Sequence, residues 1–166
     1  IFGQVLGTST STAQCLRVPN TPPRLQWIFP EYYPPLFFLT FNTHRRRKLL
    51  ATERLHNAFL EFAHDGAKRG MCVGRYVIMP DHIHLFFRGN YESTVAQWVR
   101  LLKRHLSKSI PEARPHWQDG FFDHLIRHSE SYGQKWDYVR ENPARAGLIA
   151  NVNDWKWQGE IVRLEA

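Results

Sequence analysis

The chain has 166 residues, enough for one domain that buries roughly 70% of its unfolded surface. Its hydrophobic share of 43% is normal for a globular protein, and no apolar run nears the roughly 20 residues of a membrane span. Lysine and arginine (22) outnumber aspartate and glutamate (15), giving a formal charge of +7 and a pI near 9.7, which suits a polyanionic partner such as nucleic acid.

Cys15 and Cys72 are too few for a disulfide scaffold and form no Cys-x-x-Cys zinc signature. A reducing, cytoplasmic setting is expected. The chain starts at Ile1, as a fragment or a processed product would, and its first residues lack the pattern of a signal peptide. Residues 1–26 carry "TSTST" (Thr8 to Thr12) and "VPNTPPR" (Val18 to Arg24), so a weakly structured leader is expected there. Residues 27–166 are expected to form a single domain.

From Leu36 the pattern becomes regular. "LFFLTFNT" is short, aromatic and threonine-bearing, as strands are. A basic turn, "HRRRK" (His44 to Lys48), follows. Then Leu55, Ala58/Phe59, Phe62 and Gly66 recur at helical spacing, with Thr52 as N-cap and Gly70 as stop. Met71 to Met79 reads as a strand. Pro80-Asp81 is a tight turn, and His82 to Arg88 reads as the second arm of an antiparallel hairpin. A helix is expected from Thr94 to about Ile110. Val95, Trp98/Val99, Leu102 and Leu106 form its apolar stripe, and Arg100, Lys103, Arg104 and Lys108 lie opposite. Phe121 to His128 is a fourth strand. Ser129 to Asn142 is a last helix, capped by Ser129, with Tyr132, Trp136 and Val139 inward and Pro143 ending it. The first six elements match a ferredoxin-like βαββαβ arrangement, an α+β fold whose antiparallel sheet carries helices on one face. The last helix is extra and packs somewhere near that sheet.

The stretch "MPDHIHLFFRG" carries the chemistry. Residues two apart in a strand share a face, so His82, His84 and Phe86 point one way and Ile83, Leu85 and Phe87 the other. Two imidazoles on one face are a candidate metal grip. On the last helix Tyr138 and Asn142 are four apart and share a face, pointing away from the Trp136/Val139 stripe. The amide oxygen of Asn142 is an acceptable ligand for a hard cation. A metal on His82, His84 and Asn142 would act as a Lewis acid on a phosphorus centre, and Tyr138 would be the nucleophile. Trp117, Phe121 and Phe122 could stack on bases but are read as core packing, and Asp123 and His124 as hydrogen-bonding residues that position the last helix.

"MPDHIH", "WQDGFFDHLIR" and "YVRENPARAGLI" together resemble the REP-associated tyrosine transposases, a branch of the single-tyrosine HUH transposases, over about Phe29 to Trp157. The resemblance implies a ferredoxin-like fold and a tyrosine that cleaves single-stranded DNA, leaving a 5′-phosphotyrosine and a free 3′-hydroxyl. It matches His82 and His84 to the metal pair, Tyr138 to the nucleophile and Asn142 to the third ligand. It implies Mg²⁺ or Mn²⁺ as cofactor and a hairpin-bearing palindromic repeat as substrate. Imidazole suits zinc, copper or nickel better than magnesium, so Mn²⁺ fits both lines best. Beside such a site Arg100, Lys103, Arg104 and Lys108 become phosphate contacts, with Arg45 and Arg46 of the basic turn as a second group. A monomer or a homodimer is compatible with the resemblance. Two rival readings stay open: a domesticated relative that binds structured DNA without cutting it, and a small metal-dependent hydrolase using a histidine-bound water.

Overall fold

Leu36 and Phe38 point to one face of a strand and Leu39 and Phe41 to the other, and all four are buried, so this strand must be covered on both sides. In the computed structural model, which describes residues 34–89, 94–126 and 129–164, it is β1 (Leu36–Asn42). Residues 1–26 and the cap at Ser129 lie outside what is described. β1 pairs antiparallel with β3 (His82–Arg88) on one side and with β4 (Phe122–Ile126) on the other. β2 (Cys72–Ile78) forms the hairpin with β3, closed by a hydrogen bond from Met79 N to His82 O of 2.8 Å. The sheet order is β4-β1-β3-β2-β5, every pairing antiparallel. The ferredoxin-like α+β architecture is as expected.

Two helices cover the first face. α1 (Glu53–Ala67) is capped by Thr52, whose side chain accepts from Leu55 N. It buries Leu55, Phe59, Ala63 and Gly66, one stripe at helical spacing. α2 (Val95–Leu106) is capped by Thr94 and buries Trp98, Val99, Leu102 and Leu106; its last expected turn, Ser107–Ser109, is a 3₁₀ turn. These residues meet Leu39, Phe41, Ile83, Leu85 and Phe87 of the sheet. Each such side chain contributes about 1.5–3 kcal/mol by leaving water.

The second face has its own core. α3 (Ser129–Arg140) packs Tyr132 and Val139 against Phe38, Val77, Met79 and Phe86, with Tyr132 and Phe86 edge to face at 4.5 Å. The fold is therefore three layers: α1 and α2, the sheet, then α3. Periodicity leaves the position of this third helix open, and the structure puts it opposite the other two.

Three boundaries differ from expectation. β4 begins at Phe122, one residue later than expected, and the last two expected residues, Arg127 and His128, lie outside the described ones. Pro143 does not end helical structure. α3 stops at Arg140, and a short helix, α4 (Asn142–Arg145), starts with Pro143 in its first turn, where a missing N–H costs nothing. A fifth strand, β5 (Gln158–Glu160), adds to the β2 edge; its three residues are too few to show alternation. The β2–β3 register also slips between Val73 and Tyr76. Two residues of β2, Gly74 and Arg75, there face one step of β3, a bulge. A Cβ on Gly74 would sit 2.7 Å from Leu164 Cδ1, so a larger residue there would make the Leu164 side chain shift. No helix among the described residues is long and apolar enough to cross a membrane.

Candidate active site

His82 and His84 lie on the α3 side of the sheet, with Phe86 beyond them. Their rings meet nearly edge to face, centroids 4.6 Å apart. Each imidazole has its Nδ1 engaged. His82 Nδ1–H donates to Asp81 Oδ1 at 2.7 Å, and Asp81 is in turn held by Arg46 Nε at 2.8 Å from its other oxygen. His84 Nδ1 meets Thr40 Oγ1 at 2.7 Å, and Thr40 is its direct cross-strand partner. Among the described residues neither Nε2 has a hydrogen-bond partner. A carboxylate at Nδ1 fixes the tautomer whose lone pair is on Nε2, the arrangement that orients metal-ligating histidines.

Electrostatics keep both rings neutral near pH 7. Burial pushes the His84 pKa down to about 3, helped by the charges of His82, Arg46, Lys135 and Arg145. Burial also lowers the His82 pKa, while Asp81 opposes the shift. Neutral imidazole is the ligating form.

The basic turn serves this pair. Arg45 and Arg46 both have positive φ, 52° and 57°, in a turn tied down by Thr43, whose Oγ1 donates to the carbonyls of Arg47 and Asp81. Arg46 thereby reaches Asp81 and also donates to Asn42 Oδ1 at 2.5 Å. Arg45 is exposed beside it.

Tyr138 is 64% exposed, on the flank of α3 that also carries Lys135. Lys135, one turn earlier on that flank, sits 5.2 Å over the Phe38 ring, and Phe38 stacks on His84 at 5.5 Å. Arg145 of α4 lies 4.1 Å over the Tyr138 ring. Its guanidinium donates to the Tyr138 carbonyl, to Asn142 Oδ1 and to Glu141 Oε2. One arginine thus joins Tyr138 to Asn142 across the break between α3 and α4.

The remaining expected residues are placed elsewhere. Arg100, Arg104 and Lys108 are exposed and belong to α2 and its following turn, the layer across the sheet from the histidines. Lys103 is half-buried. Its Nζ donates to the carbonyls of Gln118 (2.9 Å) and Gly120 (2.6 Å), so it holds the loop before β4. Trp117 packs on Phe41 and donates Nε1–H to Lys103 O, and Phe121 packs on the first core, both as expected. Phe122 is 57% exposed, not core. Asp123 and His124 are exposed on the edge strand β4, and their side chains make no hydrogen bond among the described residues. Sequence reasoning missed Thr40, Asp81 and the clamp by Arg145. Asp81 was visible as the neighbour of His82; Thr40 needed the β1–β3 register.

The family model described as Transposase IS200 like matches residues 37–140, from β1 to the end of α3, and takes in both histidines and Tyr138. The chain belongs to this family. It is 27% identical over 128 residues to the REP-associated tyrosine transposase of Escherichia coli (strain K12), covering 72% of each chain. Among solved structures it is similar to a REP-associated tyrosine transposase bound to a REP hairpin, with a TM-score of 0.64 and 26% identity over 77% of this chain and 79% of that one.

The donor set bears on the metal that the family resemblance implies. Two oriented imidazoles with open Nε2 atoms fit half of a ligand shell, and no group of three His, Cys, Asp or Glu residues completes it among the described residues. The Oδ1 of Asn142, the third ligand that the resemblance implies, is engaged by Arg145.

Proposed function

We propose that this IS200-like transposase cuts and rejoins single-stranded DNA beside hairpins of palindromic repeats, through a covalent intermediate on Tyr138. The observation that carries the reading is the pair of neutral histidines with open Nε2 atoms on the sheet face that the Tyr138 helix covers. The relative solved with a REP hairpin supports the substrate class.

The Tyr138 Oη attacks a backbone phosphorus. A P–Oη bond forms, the P–O3′ bond breaks, and the leaving 3′-oxygen takes up a proton. The 5′-phosphate stays on the tyrosine, so bond energy is conserved and a 3′-hydroxyl can reverse the step. His82, His84 and Asn142 would hold Mg²⁺ or Mn²⁺, which when bound supplies Lewis-acid polarisation of the phosphate oxygens. Asp81 and Thr40 keep the imidazoles oriented. Arg145 holds the Tyr138 ring and donates to one lone pair of Asn142 Oδ1, so it competes with a metal for that oxygen without closing it off. Where the metal draws Asn142 away, the guanidinium can turn to a phosphate oxygen. Arg45, exposed beside Arg46 in the basic turn, would be a backbone contact for the strand.

The test is a labelled hairpin oligonucleotide with single-stranded flanks, incubated with protein and Mn²⁺ and run on a denaturing gel. Wild type gives a slow-migrating covalent adduct. Tyr138→Phe gives none, and His82→Ala and His84→Ala lose it too. Cleavage that survives Tyr138→Phe but not His82→Ala would replace the tyrosine mechanism with a histidine-bound water.

A further inference from the structure

A second cleft lies on the other flank of α3. It has a volume of about 320 Å³ and is lined by Arg75, Trp136, Arg140, Asn153, Gln158 and Glu160. Trp136 and Arg140 are four apart and share this flank, while Lys135 and Tyr138 occupy the opposite one. The opposite wall is the β2–β5 edge of the sheet, so the cleft is separate from the histidine site.

Its chemistry is specific. The bulge in β2 turns Arg75 toward α3, where its guanidinium lies 5.4 Å from the Tyr132 ring centre and 5.5 Å from that of Trp136. Arg75 also pairs with Glu160 at 3.4 Å, a partly exposed contact that an incoming anion can displace at little cost. Arg140 donates to Asn153 Oδ1 at 3.1 Å. Gln158 donates through Nε2 to Val152 O and leaves its buried Oε1 without a donor among the described residues. The walls thus offer two guanidinium groups, an indole, a carboxylate and a spare amide acceptor.

We infer that this cleft binds one unpaired nucleotide of the single strand flanking the hairpin, its base against Trp136, its phosphate on Arg140 and Arg75. Two guanidiniums fit a phosphate, and an indole fits any base face. Glu160 and Gln158 accept from the N–H groups of the base edge. A small apolar ligand would leave both arginines unsatisfied, and a free phosphate would leave the indole and the acceptors unused. This inference rests on the chain acting on hairpin DNA as proposed above. It adds a place where the flank is gripped, across α3 from Tyr138, so that the strand is anchored on both sides of the helix that carries the tyrosine.

The experiment compares equilibrium binding of two fluorescent DNAs by anisotropy, using the full chain in EDTA so that no cleavage intervenes. One is a hairpin with single-stranded flanks, the other the same hairpin with blunt ends. The flanked DNA binds more tightly. Arg140→Gln, which gives up a hydrogen bond to Asn153 and keeps the core, removes that advantage and leaves the blunt hairpin unchanged. Trp136→Ala does the same, with a loss of about 5- to 150-fold on the flanked DNA, the range for one stacked base. An abasic residue scanned along the flank costs wild type affinity at one position and costs Trp136→Ala nothing there. If Arg140→Gln keeps the advantage, or weakens both DNAs alike, the cleft is not a nucleotide site and the cleavage reading stands. If wild type binds neither DNA, the reading under which the chain acts on hairpins falls, and this inference with it.

Discussion

Thr40→Val isolates the least expected contact of the site. Valine keeps the β-branched body that suits a strand and removes only the hydroxyl that meets His84 Nδ1 at 2.7 Å. The contact is partly buried and joins residues 44 apart in sequence. Its net worth to folding is about 0.5–1.5 kcal/mol, partly offset by the strand preference of valine, so thermal stability changes little. Its worth to a bound metal is larger. Losing the partner that orients a ligating imidazole typically costs about 10- to 100-fold in affinity, or about 1.4–2.8 kcal/mol. Titrating Mn²⁺ into wild type and variant near neutral pH, with free Mn²⁺ followed by electron paramagnetic resonance, reads this directly. Both imidazoles are neutral there, so proton competition does not enter. Equal Mn²⁺ affinities, in a background where His84→Ala abolishes binding, would refute the orienting role of Thr40. Undiminished binding in His84→Ala would refute the metal site itself.

Arg145→Ala frees Asn142 Oδ1 and removes a positive charge felt at His84, so Mn²⁺ binds more tightly while adduct formation slows. The Tyr138 ring loses a cation–π contact worth about 0.5–1 kcal/mol, a rate loss of about 2- to 5-fold before any lost phosphate contact; unchanged Mn²⁺ affinity would count against a competition between Arg145 and the metal for Asn142. Lys103→Met breaks two charge-assisted hydrogen bonds to loop carbonyls and lowers urea stability by about 1.5–3 kcal/mol, whereas Arg100→Gln or Arg104→Gln stays within about 0.5 kcal/mol. In the metal-free protein, acid selectively destabilises the fold through His84. Its folded pKa is depressed, so below the unfolded value near 6.5 the unfolded chain binds a proton that the folded chain refuses, and stability falls until about pH 3. His84→Leu flattens the urea midpoint over that window relative to wild type; an unchanged slope would show that His84 is not the group responsible.

Elements with strong local signals were legible in the chain. Thr52 and Thr94 announce their helices, the Pro80-Asp81 turn announces the hairpin, and alternation alone puts His82 and His84 on one face. What failed needed information between distant elements. The Thr40–His84 contact follows from strand register, which no local window contains. The β2 bulge adds one residue and returns Val73 and Tyr76 to the same core, so simple alternation misassigns one of them. Lys103 looks like one more cation on a solvated face until the loop before β4 folds back over it. Asp123 and His124 look like buried partners only if β4 is covered, and its face is open.

The placement of α3 explains why a site exists at this end of the sheet. Tyr132 and Val139 seal Phe38, Val77 and Phe86, and that apolar packing fixes the helix on the second face. The cover thins toward the start of β3: Phe86 is fully buried, while His84 and His82 are partly exposed. A leucine at 84 would extend the core there. An imidazole instead must stay neutral, and its Nδ1 needs the Thr40 contact to avoid an unmet hydrogen bond. The two histidines therefore sit where burial is deep enough to exclude the proton and shallow enough to leave Nε2 open. The same margin exposes Tyr138 on the flank of the sealing helix. One packing interface thus sets the protonation state of the two histidines and the position of the tyrosine together. That coupling is a physical reason for the chemistry to lie on the face with one helix, not on the face that two helices close.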